Sequence, residues 1–287
     1  NTGRWLTAVL LLTTSASPLK AQSPLSTGNF SGYFEANGQY YQKDDKIEAP
    51  EVNEKWLNNG FMTLTYNYNG LTAGVRYESY LNPLLGFDPN YKGNGIVNRY
   101  ITYTNNKLSV TAGNFYEQFG SGLVFRTYWE PNLGLDNSMD GLRAVFTPVQ
   151  GITLKGVIGK QRDFFTYSNS IVRGVDADIQ LNDAIKTLSA SKLRIGLGGS
   201  FVSKYQKDDR PSLILPENVG AYAGRLSLKY GKVAFDAEYA YKINDPIQSN
   251  LFTYNPGEAL FTNLTYTKKG LGVRLSGKRV SNMDFRS

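Results

Sequence analysis

Five times in this chain, two runs of alternating apolar and polar residues meet at a tight turn in a register that gathers their apolar side chains on one face. The clearest case is 62–79, where Asn69-Gly70, a pair that tolerates positive φ at both positions, separates two strands. Pairing outward from that turn sets Tyr68 against Leu71, Tyr66 against Ala73, Leu64 against Val75 and Met62 against Tyr77, with Thr63, Thr65, Arg76 and Glu78 on the other face. Around Gly231-Lys232 the pairs are Tyr230/Val233, Leu228/Phe235 and Leu226/Ala237, and Arg225/Glu238 and Ser227/Asp236 face the other way. The remaining turns predict Tyr266/Leu271 and Leu264/Val273 about Lys268-Lys269, Tyr103/Leu108 and Ile101/Val110 about Asn105-Asn106, and Phe146/Ile152 and Ala144/Leu154 about 148–151. Successive side chains leave a strand on opposite sides, so a slip of one residue would break every match.

A soluble sandwich alternates in the same way, and the loops separate the two. Short turns alternate with long connections at 42–60, 80–95, 117–140, 160–172, 204–220 and 242–259. Short turns on one rim and long loops on the other, with strands of ~10 residues, mark an antiparallel transmembrane β-barrel of the outer-membrane type. Tyrosines 40, 41, 66, 68, 77, 80, 103, 230, 239, 241 and 266 stand toward strand ends, where interfacial girdles form. A mean hydropathy of −0.36 fits such a barrel, because half of each strand faces a wet interior. No apolar run approaches the ~20 residues of a transmembrane helix.

Arg4, the short apolar run 5–12 and the small residues up to Ala21 read as a secretory signal peptide over 1–21, with 22–28 a periplasmic lead-in, 29–280 the barrel strands and loops, and 281–287 the start of a further extracellular loop. Cleavage after Ala21 removes Arg4 and Lys20 and no acid, taking the formal charge from +7 to +5. The spans are 29–42, 61–68, 71–80, 96–104, 108–117, 141–147, 152–160, 172–182, 193–204, 221–230, 233–242, 260–267 and 271–280. Thirteen is odd, whereas bacterial single-chain barrels are even, so the expectation is part of a larger barrel.

The segment 113–125 (Gly-Asn-Phe-Tyr-Glu-Gln-Phe-Gly-Ser-Gly-Leu-Val-Phe), with 135–141 (Leu-Asp-Asn-Ser-Met-Asp-Gly) and 29–35 (Asn-Phe-Ser-Gly-Tyr-Phe-Glu), resembles a family of uncharacterised Bacteroidetes outer-membrane proteins filed under a domain of unknown function. The likeness runs from about residue 29 to the end. It implies barrels longer than this chain and carries no catalytic or binding residue to any position.

The chain has no histidine and no cysteine, which removes the base of His-dependent hydrolases and acyltransferases and every His or Cys metal site. No catalytic residue, metal or cofactor is therefore expected. The oxygen-rich run 136–141 lacks EF-hand spacing. Nucleic acid is excluded as a partner because the bases form no stripe; the expected surroundings are outer-membrane lipid and lipopolysaccharide.

Function then falls to the lumen face. Alternation places Arg76, Arg143, Lys155, Arg194, Arg225, Lys229, Arg274 and Lys278 there against Glu35, Glu78, Glu117, Asp176, Asp178, Asp236 and Glu238. The set can line a polar channel or pair off, Arg225 with Glu238 being the expected structural pair. The long loop 117–140 brings Phe119, Phe125, Arg126, Tyr128, Trp129 and Asp136, able to stack on a sugar or to narrow a pore by folding inward. Arg99 falls on the lipid face beside Ile101 and Tyr103, at ~2–4 kcal/mol near mid-membrane, which calls for a bulge, a register change or an end-of-strand position. Two functions follow as expectations. One is a porin-like channel for small polar solutes. The other is a closed barrel that binds glycan through exposed Tyr91, Trp129, Tyr205 and Phe252 or scaffolds a secretion or assembly complex.

Overall fold

In the computed structural model, which describes residues 28–48, 51–207 and 214–285, the chain is a single antiparallel wall. Its thirteen long strands are β1 (Asn29–Tyr40), β2 (Trp56–Tyr68), β3 (Leu71–Leu81), β4 (Gly93–Thr104), β5 (Leu108–Phe115), β6 (Met139–Phe146), β7 (Ile152–Asp163), β8 (Ile171–Gln180), β9 (Leu193–Tyr205), β10 (Asn218–Tyr230), β11 (Val233–Lys242), β12 (Gly257–Lys268) and β13 (Leu271–Ser281). Each pairs with its neighbour in sequence order, and among the described residues no pairing joins β1 to β13. The signal segment, most of the lead-in and the charged run from 208 lie outside the described residues.

Strand faces separate as the alternation requires. Ile101, Leu142, Leu154, Ile158, Val175, Leu197, Leu260 and Leu264 are exposed on the outside, while Arg76, Glu78, Asp176 and Glu238 are buried on the inside. An exposed apolar surface that runs strand after strand is the reverse of a soluble protein's; it is the lipid face of an outer-membrane-type barrel wall. Tyr68, Tyr103, Tyr230 and Tyr266 stand exposed beside the short turns. Tyr80 departs from this pattern, because it points inward and is 2% exposed in an aromatic cluster with Phe61 and Tyr91.

Two of the five hairpin registers hold as read, at Asn69-Gly70 and at Gly231-Lys232. The other three differ by two residues. Tyr266 pairs with Val273, Tyr103 with Val110 and Phe146 with Leu154. In the first of these the turn moves to Lys269-Gly270, where Gly270 takes φ +78° without the steric penalty a side chain would bring. A shift of two preserves which face each residue occupies, so lumen and lipid assignments survive.

A bulge interrupts β3–β4 pairing between Arg76 and Tyr77, and Val97 and Asn98 are both buried. Arg99 stays on the outer surface. Its guanidinium reaches Asp140 and the Tyr167 hydroxyl, each at 3.2 Å, so the charge there is paired.

The apolar core lies inside the curl. It joins Phe119, Val124 and Phe125 of the 116–138 connection to Phe115, Met139, Val157, Val172, Val202, Ala221, Ala223, Ala240 and Ala259 of the wall. Apolar residues at inward positions of β7 to β12 would face water in an empty barrel. Here they seat the loop together with Met283 and Phe285 of the C-terminal segment.

Candidate functional site

The loop turns into the lumen because its backbone closes a small hairpin. Phe119 N–H donates to the Phe125 carbonyl at 3.0 Å, Thr127 N–H donates to that of Glu117 at 2.9 Å, and Gln118 bridges to Arg126. Its tip is Gly120-Ser121-Gly122, with φ +52° and +89° at the two glycines, a conformation that strains any residue with a Cβ. Gly120 also lies so close to the far wall that a Cβ would stand 2.6 Å from Arg225 and 2.7 Å from Glu238.

Three contacts pin this hairpin across the interior. At the tip, Ser121 N–H donates to Glu238 Oε2 on β11 at 2.7 Å. At the base, Lys155 Nζ on β7 donates to the Gln118 carbonyl and to Glu117, both at 2.9 Å, and Arg143 on β6 reaches Glu117 at 2.7 Å. Between them the fully buried Phe119 sits against β8 at Gly174, where a Cβ would meet its ring at 2.7 Å. Burial tends to raise the Glu117 pKa, but the Lys155 and Gln118 hydrogen bonds and the charges of Arg143 and Lys155 outweigh it, holding the carboxyl below its ordinary value.

Toward the long-loop rim the same connection builds a buried ion network. Asp136, opposite Trp129 in a two-residue ladder, accepts from Arg76, from Arg162 at 2.5 Å and from the Tyr116 hydroxyl at 3.0 Å. Glu78 accepts from Arg76 at 2.8 Å and Arg162 at 2.7 Å, and the Arg76 guanidinium stacks 3.9 Å from the Trp129 ring centroid. Two bases meet two acids, all four nearly solvent-free. Aromatic rings cap the network, with Phe164 against Tyr91 and Phe165 against Tyr80. Tyr91 is therefore core, not an exposed glycan platform; Trp129 is half-buried, and Phe252 remains exposed.

The other inward charges are spread along the wall. Arg225 turns away from its register neighbour Glu238 and takes Asp176 at 2.7 Å, Asp178 at 2.9 Å and Ser200 at 2.6 Å, so the expected Arg225–Glu238 pair is not made. Glu238 is drawn instead to the loop's N–H. Asp236 accepts from Ser227 at 2.6 Å, Arg194 pairs with Asp183 at 2.7 Å and Arg274 donates to Asn263 at 3.1 Å. Lys278 is exposed on the edge strand β13, and Arg126 stacks over Tyr128 at 4.6 Å. Arg162 lies beyond the span 152–160 that the sequence predicts, because the strand and its alternation run on to Asp163.

The hairpin leaves a cavity on each side. One of about 350 Å³ is lined by Thr63, Arg76, Asn98, Tyr100, Thr111, Tyr116, Trp129 and Arg143. The other, about 280 Å³, is lined by Ser121, Asp178, Gln180, Arg225, Ser227, Asp236, Glu238 and Asn263 among others. Among the described residues no group of three or more acidic side chains is arranged to hold a metal ion.

The model of a family of unknown function, DUF6029, matches residues 3–287. The chain belongs to that family. No curated protein matches this DUF6029 chain significantly. Among solved structures, the DUF6029 wall is similar to a BenF-like porin from Pseudomonas fluorescens Pf-5, at 12% identity and a TM-score of 0.36, over 89% of this chain and 94% of that one. It is also similar to OmpT of Vibrio cholerae, at 10% identity and 0.38, over 91% and 90% of the two chains. OpdK of Pseudomonas aeruginosa with vanillate follows at 12% and 0.35, over 89% and 93%.

Proposed function

We propose that this chain forms the wall of a channel in the outer membrane of a Gram-negative bacterium, passing small polar solutes beside an inward hairpin that sets the width and the field of the pore. Residues 1–21 serve as its export signal, and lipopolysaccharide and outer-membrane lipid surround it. The family resemblance supports a source among the Bacteroidetes. The observation that carries the reading is the hairpin Gln118–Arg126 held across the interior between Lys155 and Glu238. A chain segment bound at both walls narrows a lumen without filling it, and the cavities on either side carry the hydroxyls, amides and charges that replace a solute's water. Phe119, Phe125 and the 120–122 tip form the constriction. The 128–133 segment belongs to the outer mouth.

A closed scaffold or glycan-binding barrel is the second reading, favoured by the buried Arg76–Glu78–Asp136–Arg162 network, which fills part of the interior with paired charge. Single-channel recording of the full-length product in a planar bilayer separates the two. Steady steps that grow when 119–125 is replaced by a short linker support the channel. Silence from folded protein would sink it and favour the closed barrel.

A further inference from the structure

The cavity of about 280 Å³ at the hairpin tip, the inner cavity, is lined by more acids than bases, and one of those acids lacks a donor. Arg225 is the one base among the residues lining the inner cavity, facing Asp178, Asp236 and Glu238. Its guanidinium is occupied by Asp176, Asp178 and Ser200, and Glu238 receives the Ser121 N–H on one oxygen. The other oxygen, Oε1, is buried with no hydrogen-bond partner, and so is Oδ2 of Asp176; the two residues are 4% and 3% exposed. Orphaned acceptors of this kind are rare in folded proteins; of the two residues Glu238 lines the cavity, where a bound group would supply the missing donor. On the near side of the hairpin the balance reverses, with Arg143 and Lys155 sharing the single carboxylate Glu117. Arg143 and Lys155 thus stand on one side of the hairpin, and Asp178, Asp236 and Glu238 of the inner cavity on the other.

We propose that the inner cavity is a cation subsite that takes ammonium-bearing solutes and makes the pore cation-selective, an inference that rests on the channel reading above. The absence of a metal-holding acidic group among the described residues favours an ammonium over a chelated metal. An ammonium also brings N–H donors, one of which Glu238 Oε1 lacks.

The test uses the full-length protein, with a potassium chloride gradient across a bilayer and, separately, putrescine titrated into detergent-purified protein by calorimetry. Wild type is expected to show a reversal potential on the potassium side and to bind putrescine. Glu238→Gln is expected to lower the potassium-to-chloride permeability ratio by about sixfold, the effect of one unit charge ~8 Å away in water acting on cation and anion in opposite senses, and to weaken putrescine binding. Asp178→Asn, at a half-exposed side chain that tolerates the change, should act in the same direction and covers a folding failure of the first variant. Open channels with no cation preference, or putrescine binding that is absent or equal in wild type and both variants, overturn the subsite. Silent bilayers with putrescine binding that depends on Glu238 keep the subsite and overturn the channel.

Discussion

Gly174 is where the constriction can be dislodged without touching a charge. A Cβ there would stand 2.7 Å from Cε2 of Phe119 and 3.2 Å from Cγ2 of Val157. Phe119 has no open space to retreat into, since it is fully buried and its ring lies 5.0 Å from that of Phe125. Gly174→Val therefore sets overpacking of about 1–3 kcal/mol against the docked hairpin. Relief by expelling Phe119 forfeits its burial, about 1.5–3 kcal/mol, and the ring pair, about 0.5–1.5 kcal/mol. The Ser121 hydrogen bond to the Glu238 carboxylate, about 1.5–3 kcal/mol, then becomes the main tether at the tip. Together these holding terms exceed the roughly 1–3 kcal/mol that the clash releases, so the hairpin should stay docked in most molecules but leave the lumen far more often than in wild type. The expected record is a noisier single-channel step with excursions to larger conductance, and faster protease cleavage inside 118–126 on folded protein. Adding Phe119→Ala to Gly174→Val removes the clash and should recover part of the wild-type step, a coupling that independent sites would not show. If Gly174→Val leaves both step noise and cleavage rate at wild type, the steric argument is wrong.

Arg162→Met should be the most destabilising single change in the outer mouth, because it leaves Glu78 and Asp136 buried with Arg76 as their shared base; the loss of one partner from a buried ion network is worth about 3–5 kcal/mol, read as a lowered unfolding temperature in detergent. The Glu117 anchor carries a pH signature. Its carboxyl lies below the ordinary 4.5, so its contribution is fully present above that value and fades as the pH falls through the lowered one. Conductance should accordingly be flat from neutral pH down to the ordinary carboxylate range and change only below it; a step near neutral pH would assign the gating to another group.

The wall was legible in the sequence because strand parity is a local property, fixed by which residues alternate, and it holds even where Tyr103 pairs two residues away from the expected partner. The exact turn was less legible. Lys268-Lys269 and Lys269-Gly270 give the same faces, and the glycine's tolerance of positive φ decides between them. The site was legible as a list of inward residues but not as a set of pairs. Arg225 chose Asp176 over Glu238 because a loop from more than a hundred residues earlier in the chain reached Glu238 first, and no local pattern encodes that. A signal for the hairpin was nonetheless present. Val157, Val202, Ala221, Ala223, Ala240 and Ala259 are apolar or small at inward positions, where a wet lumen would have favoured polar side chains.

The short turns can slide by two residues without exchanging faces, so the rim they form is free to vary in length during evolution. An odd insertion inside a strand is another matter, since it turns the rest of that strand inside out unless a bulge absorbs the extra residue, as one does opposite Arg76 and Tyr77. Relatives of this chain should therefore vary freely at their short turns, where this wall already sets two residues between Tyr68 and Leu71 and seven between Phe146 and Leu154, and any odd difference within a strand should be matched by a bulge.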